Sequence, residues 1–124
     1  MVPEFFIGTD ILSVLRIREI LDSDHKDRFN THTFTKSEID YCEGKANPSI
    51  HYAGRFTAKE AIKKALLSSG IISNIPLCSI EVLPDKEGAP QVYFHTEQPL
   101  LQTCKVSISH TDEFAVAFAL LEVS

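Results

Sequence analysis

The longest regular pattern in the chain runs from about Pro48 to about Ser69. Ile50, Ala53, Ala58, Ala61, Ile62, Ala65 and Leu66 recur there at three- and four-residue spacing, the buried stripe of an amphipathic helix. Asn47-Pro48 supplies an N-cap and a first-turn proline, and Ser68-Ser69-Gly70 supplies a stop. Upstream, Phe5-Phe6-Ile7-Gly8 reads as a short buried strand that delivers Asp10 at its C-terminal edge. A helix over about 12–21 follows, with Ile11, Leu12, Leu15 and Ile20 on its inner face, then a polar turn containing Asp22, Asp24 and Asp27. Thr35-Lys36-Ser37-Glu38 is a capping-box pattern that opens a short scaffold helix through Tyr41. After Gly70 the period shortens to two. Residues 79–83 and 91–94 form a hairpin around a turn built on Asp85 and Gly88, and residues 104–109 and 114–123 form a second with His110 at its tip. The predicted fold class is α+β, a long central helix packed on a small, mainly antiparallel sheet.

Composition narrows the function. A chain of 124 residues with 44% hydrophobic content is expected to form one domain, residues 1–124, with a single core. Its net charge of −5 argues against a general nucleic-acid binder, so an anionic ligand needs a local basic pocket. Cys42, Cys78 and Cys104 are odd in number and lack a Cys-x-x-Cys spacing, which indicates neither a disulfide framework nor a zinc site. The start from Met1 to Phe6 lacks the basic end and apolar run of a signal peptide, and no later stretch approaches a membrane span. The expectation is a soluble, cytoplasmic protein.

Candidate chemistry gathers on the central helix. Glu60 and Lys64 lie one turn apart in the favourable order of acid before base, which alone is compatible with a surface ion pair. Magnesium takes hard oxygen ligands, commonly one or two protein carboxylates with water and phosphate oxygens completing its shell, and Asp10 and Glu60 are the candidate ligands. Asp10 could equally cap the helix that follows it; the two roles do not exclude each other. Lys64 could hold a diphosphate, whereas Lys59 and Lys63 are expected to face solvent or the rim of a ligand. His110 stands beside Ser107 and Ser109, yet a Ser-x-Ser-His run is not evidence of a triad, whose members are recognised by geometry in space.

The stretch Arg55-Phe56-Thr57-Ala58-Lys59-Glu60-Ala61 resembles the Arg-Phe-Ala-Ala-Lys-Glu-Ala signature of the holo-acyl-carrier-protein synthases, the short class of phosphopantetheinyl transferases. Ile7-Gly8-Thr9-Asp10-Ile11 and Val106-Ser107-Ile108-Ser109-His110-Thr111 extend the resemblance over nearly the whole chain. It implies transfer of 4′-phosphopantetheine from coenzyme A to a serine of apo acyl carrier protein, releasing adenosine 3′,5′-bisphosphate. It implies Mg²⁺ on Asp10 and Glu60, with Glu60 or a water on the metal accepting the serine proton and Lys64 assisting the leaving phosphate. Coenzyme contacts are implied for Arg55, Lys64, Pro90, Ser109 and His110, and carrier-protein contacts for Arg16, Arg28 and Phe29.

A homotrimer with active sites between subunits is also implied, with Asp10, Glu60 and Lys64 from one copy and Arg55 and His110 from its neighbour. The apolar run from Phe114 to Leu121 carries more hydrophobic surface than one small sheet readily buries, which is compatible with a ring. The chain departs from the family where Ser68-Ser69-Gly70 replaces a Gly-Thr-Gly type of loop. On the carrier face, His32 replaces a basic position and Glu19, Asp22, Asp24 and Asp27 intrude. Two other readings compete: a Mg²⁺-dependent phosphohydrolase or nucleotidyl transferase acting on a diphosphate, and a non-catalytic coenzyme A or carrier-binding module. The joint presence of Asp10, Glu60 and Lys64 argues against the second of these.

Overall fold

The structure, a computed structural model, describes residues 2–72 and 74–124; Met1, the first residue of the start read above, lies outside them. In chain order the elements are β1 (Glu4–Ser13), α1 (Val14–Leu21), α2 (Lys26–Thr33), α3 (Lys36–Glu43), α4 (Pro48–Ser69), a 3₁₀ turn (Leu77–Ser79), β2 (Ile80–Pro84), β3 (Pro90–Phe94), β4 (Leu101–His110) and β5 (Phe114–Val123). Strands β1, β5 and β4 form one antiparallel sheet in that spatial order, and β2 and β3 form a second. The architecture is the expected α+β one. Among the described residues no helix is long and apolar enough to cross a membrane.

Helix α4 has the expected bounds. Pro48 sits in its first turn, where a missing N–H costs nothing, and Gly70 ends it at φ 75°, the left-handed conformation that glycine adopts without a Cβ penalty. Asn47 precedes it without a side-chain capping bond. All seven stripe residues are buried, and so are Tyr52, Arg55, Thr57 and Lys59, because α4 is covered by helices on one side as well as by the sheet on the other.

Gly8 explains how closely β1 approaches that helix. A Cβ on Gly8 would lie 2.0 Å from the Ala61 carbonyl oxygen and 2.8 Å from the Ala65 nitrogen, so only glycine lets the strand cross α4 here. Small residues continue the contact, with Ala58, Ala61 and Ala65 on the helix meeting Ala117 and Ala119 on β5.

Several expectations need correction. Strand β1 runs on to Ser13, pairing Asp10 with Ala117 and Ser13 with Phe114, so the following helix starts at Val14 and its N-cap is Ser13, whose Oγ accepts from the Arg16 amide. Nor is β1 buried on both faces. Phe5, Ile7 and Ile11 are 60%, 59% and 67% exposed, and on β5 Phe114, Val116 and Phe118 lie on the same outward face, opposite the buried Ala115, Ala117, Ala119 and Leu121. Helix α2 was legible only as polar sequence, because just Phe29 among its eight residues is a large apolar group and no side chain caps it.

Lys59 is the largest correction. It is fully buried rather than solvent-facing, and its ammonium donates to Glu38, to the Thr33 carbonyl at 2.6 Å and to the Leu77 carbonyl at 3.2 Å. Glu38, also fully buried, accepts further bonds from the amides of Thr35 at 2.9 Å and Val82 at 2.8 Å. Burial pulls the Lys59 pKa down while Glu38 opposes that shift. Each charge thus has a full set of partners, the condition under which a buried ion pair is tolerated. The predicted capping box is real, and its Glu38 serves the core as well as the α3 N-terminus.

Candidate functional site

Two groups of predicted site residues assemble at different places on α4. The first lies where β1 crosses the C-terminal half of the helix. Because Gly8 brings the strand against Ala61 and Ala65, Asp10, on the same face of β1 two residues later, comes beside Lys64. Lys64 Nζ donates to Asp10 Oδ1 at 3.0 Å and to the Thr9 carbonyl at 3.0 Å. It therefore pairs across to the strand and not back along the helix to Glu60. Glu60, one turn earlier and half-buried, makes no side-chain hydrogen bond or ion pair among the described residues.

The oxygen donors these elements offer are hard ones: the Asp10 carboxylate and the Thr9 carbonyl, which share Lys64, and the Glu60 carboxylate one helical turn before that lysine. That chemistry fits Mg²⁺, which needs few protein ligands. Among the described residues no group of three or more His, Cys, Asp or Glu side chains converges, as a site built wholly from such side chains would require.

The second group lines a cleft of about 170 Å³ formed by Tyr41, His51, Arg55, Gly88, Pro90, Ile108 and His110. Arg55, Pro90 and His110 are among the residues singled out from sequence; Tyr41 and His51 line the same cleft and are not. His51 could have been found, because it lies four residues before Arg55 and hence on the same stripe of α4. The Arg55 guanidinium stacks 4.1 Å from the centre of the Tyr41 ring, Lys45 stands 4.6 Å from the same ring, and His51 meets it edge-on at 5.8 Å. Arg55 is 7% exposed, and its Nε has no hydrogen-bond partner among the described residues. The His51 pKa is pushed below the usual histidine range, first by burial and then by the nearby charges of Arg55, Lys45 and His110.

Ser109 does not join this cleft within the chain. It pairs with Val116 on the outward face of the sheet, whereas His110 pairs with the buried Ala115 and leaves β4 on the helix side.

The two groups also stand on opposite sides of α4. Arg55 and Lys64 are nine residues apart, which at about 3.6 residues per turn is half a turn out of phase and about 13 Å along the axis.

Two of the three residues predicted for carrier docking, Arg28 and Phe29, mark a third surface. Arg28 and Phe29 line a hollow of about 380 Å³ with Ile20, His25, His32 and Thr33, and Arg16 is exposed on α1. The Phe29 ring also packs 5.6 Å from Phe34 and 5.7 Å from Phe56, so one side of it belongs to the core.

A small α+β scaffold that sets an acid–lysine pair and a basic cleft on opposite faces of one helix has clear relatives. Residues 6–119 match the family described as the 4′-phosphopantetheinyl transferase superfamily. A holo-[acyl-carrier-protein] synthase of Chlorobaculum parvum is 42% identical over 116 residues, covering 94% of this chain and 97% of that protein.

Among solved structures, a holo-(acyl-carrier-protein) synthase from Bacillus anthracis in complex with CoA (3′,5′-ADP) superposes with a TM-score of 0.78 at 36% identity, covering 96% of each chain. The synthase from Helicobacter pylori in complex with coenzyme A gives 0.78 at 31% identity, covering 93% of this chain and 98% of that one. The chain belongs to the 4′-phosphopantetheinyl transferase superfamily, within its holo-[acyl-carrier-protein] synthase branch.

Proposed function

We propose that this protein moves the 4′-phosphopantetheine group of coenzyme A to a serine of apo acyl carrier protein, acting as a single domain in the cytoplasm. The observation that carries the reading is the pairing of Lys64 with Asp10 beside the uncommitted Glu60, on a fold whose relatives bind coenzyme A. The free thiols of Cys42, Cys78 and Cys104 suit a reducing compartment.

In the reaction, the serine oxygen attacks the phosphorus next to pantetheine, the bond from that phosphorus to the bridging oxygen breaks, and adenosine 3′,5′-bisphosphate leaves. Glu60, with no competing partner, takes the serine proton. Lys64 exchanges Asp10 for the diphosphate and offsets the charge that develops on the leaving phosphate. Arg55 and His110 hold the nucleotide end, the guanidinium fork matching a phosphate. Bound by Asp10 and Glu60, Mg²⁺ would supply charge neutralisation at the diphosphate oxygens.

The working unit in this reading is a homotrimer. Lys64 and Arg55 point from opposite sides of α4, so a coenzyme that touches both bridges two copies of the chain. The outward apolar face of β1 and β5 supplies a surface for such a ring.

Intact-mass measurement of apo acyl carrier protein incubated with this protein, coenzyme A and Mg²⁺ tests the activity. The expected product carries the added phosphopantetheine, whereas cleavage of coenzyme A with no mass gain on the carrier would favour a phosphohydrolase. The assembly is tested by refolding Asp10→Ala and His110→Ala chains together. With random mixing in a cyclic ring, about one site in four joins two intact halves, so roughly a quarter of wild-type activity should return. No recovery would place each site within one chain.

A further inference from the structure

We infer that His51 is a titrating phosphate ligand of the basic cleft, so that binding of the coenzyme's 3′-phosphate monoester is coupled to uptake of a proton. This rests on the transferase reading and extends it to a residue outside the sequence signature. Three basic side chains, His51, Arg55 and His110, line a cleft with no acid among its described lining residues, and a fourth, Lys45, stands over the Tyr41 ring beside it, in a chain whose net charge is −5. Such an arrangement is uncompensated until an anion enters. The Nε of Arg55, buried and without an acceptor among the described residues, adds an unmet donor on a side chain that lines this cleft.

The surroundings of His51 determine how it responds. Arg55 acts on it from the same helix, Lys45 from the turn before α4 and His110 from β4, all three disfavouring its protonated form. The Tyr41 ring contacts it edge-on from α3 and brings no charge. The facing turn between β2 and β3 carries Lys86 and Glu87, both exposed, and its Asp85 carboxylate is committed to the Glu87 and Ala89 amides at 2.9 and 3.0 Å and to the Gln91 side chain at 3.2 Å. Free, the cleft therefore holds His51 neutral near pH 7. A phosphate monoester dianion reverses the sign of the local field, and imidazole is the side chain able to answer in this range. Once protonated, its second N–H becomes a donor that the neutral ring lacks. A coenzyme without the 3′-phosphate brings no such dianion.

Calorimetric titration of the protein with coenzyme A and with dephospho-coenzyme A, in two buffers of different ionisation enthalpy near pH 7, reads the proton directly. Wild type should take up protons with coenzyme A and not with the dephospho form. In His51→Phe, which keeps an aromatic ring against Tyr41, that uptake should fall, and coenzyme A affinity should drop roughly tenfold while dephospho-coenzyme A affinity holds. If the phenylalanine variant melts early, His51→Gln repeats the test with a polar side chain that cannot titrate. Proton uptake equal in wild type and a folded variant, or an equal loss of affinity for both ligands, would overturn the role of His51 and leave the transferase reading intact. Absence of binding heat with either coenzyme in wild type would overturn both.

Discussion

The two ends of α4 present opposite electrostatic problems. At the C-terminal end, Asp10 and Lys64 neutralise each other at 3.0 Å with side chains 17% and 54% exposed, so the chain satisfies this site by itself. At the N-terminal end, His51, Arg55 and His110 line a cleft with no acid among its described lining residues, Lys45 stands over the same Tyr41 ring as Arg55, and a buried Arg55 nitrogen has no partner among the described residues. The first group must release an internal contact to act on a ligand. The second gains a partner only from outside. A coenzyme with a diphosphate at one place and a nucleotide phosphate at another meets both needs, which is why binding and chemistry should separate under mutation.

The largest expected effect is at the self-neutralised end. Asp10→Ala and Glu60→Ala should each lower transfer by about 10³-fold or more while the proteins remain folded. Adenosine 3′,5′-bisphosphate should bind both nearly as well as it binds wild type, since the nucleotide site proposed for it lies in the other group. Full turnover by either folded variant at low Mg²⁺ would remove that residue from the chemistry.

Two lysines five positions apart on α4 sharpen the contrast. Lys59→Met leaves the Glu38 carboxylate buried without its counter-ion and should cost about 3–5 kcal/mol in urea unfolding. Lys64→Met removes a half-exposed pair and should cost no more than about 1 kcal/mol, with the damage appearing in transfer instead. Similar stability losses for the two would contradict the burial assigned to Lys59.

Gly8→Ala tests the packing that creates the catalytic end. Its new Cβ must push β1 off the Ala61 and Ala65 backbone, with an expected cost of about 1–3 kcal/mol and a fall in kcat. Binding of adenosine 3′,5′-bisphosphate at the distant cleft should change little; a parallel loss there would show that the two ends are coupled.

The smallest effect belongs to the third surface. Arg16→Glu should raise the KM for acyl carrier protein several-fold at low salt and less at high salt, with coenzyme A binding unaltered, because rim charges act mainly on association. Carrier kinetics indifferent to this charge reversal would take Arg16 out of the interface.

What the sequence determined by itself is local. The bounds of α4 follow from Pro48, Gly70 and a stripe of seven apolar residues, the first hairpin from alternation and the turn at Asp85 and Gly88, and the second from alternation on either side of the polar turn after His110, because these signals act between near neighbours. Asp10, Glu60, Lys64, Arg55 and His110 stood out as candidates through their setting in three short motifs. Tertiary structure alone decided their partners. Lys64 turns to Asp10, fifty-four residues away, because Gly8 admits β1 to the helix. Lys59, next to Glu60 in sequence, faces the opposite environment because α3 and β2 close over it. His51 joins Tyr41 and His110 only once α3, α4 and β4 have packed together. Local periodicity fixes which face of an element a side chain occupies, whereas what lies across from that face depends on how distant segments come together, which no short window of sequence contains.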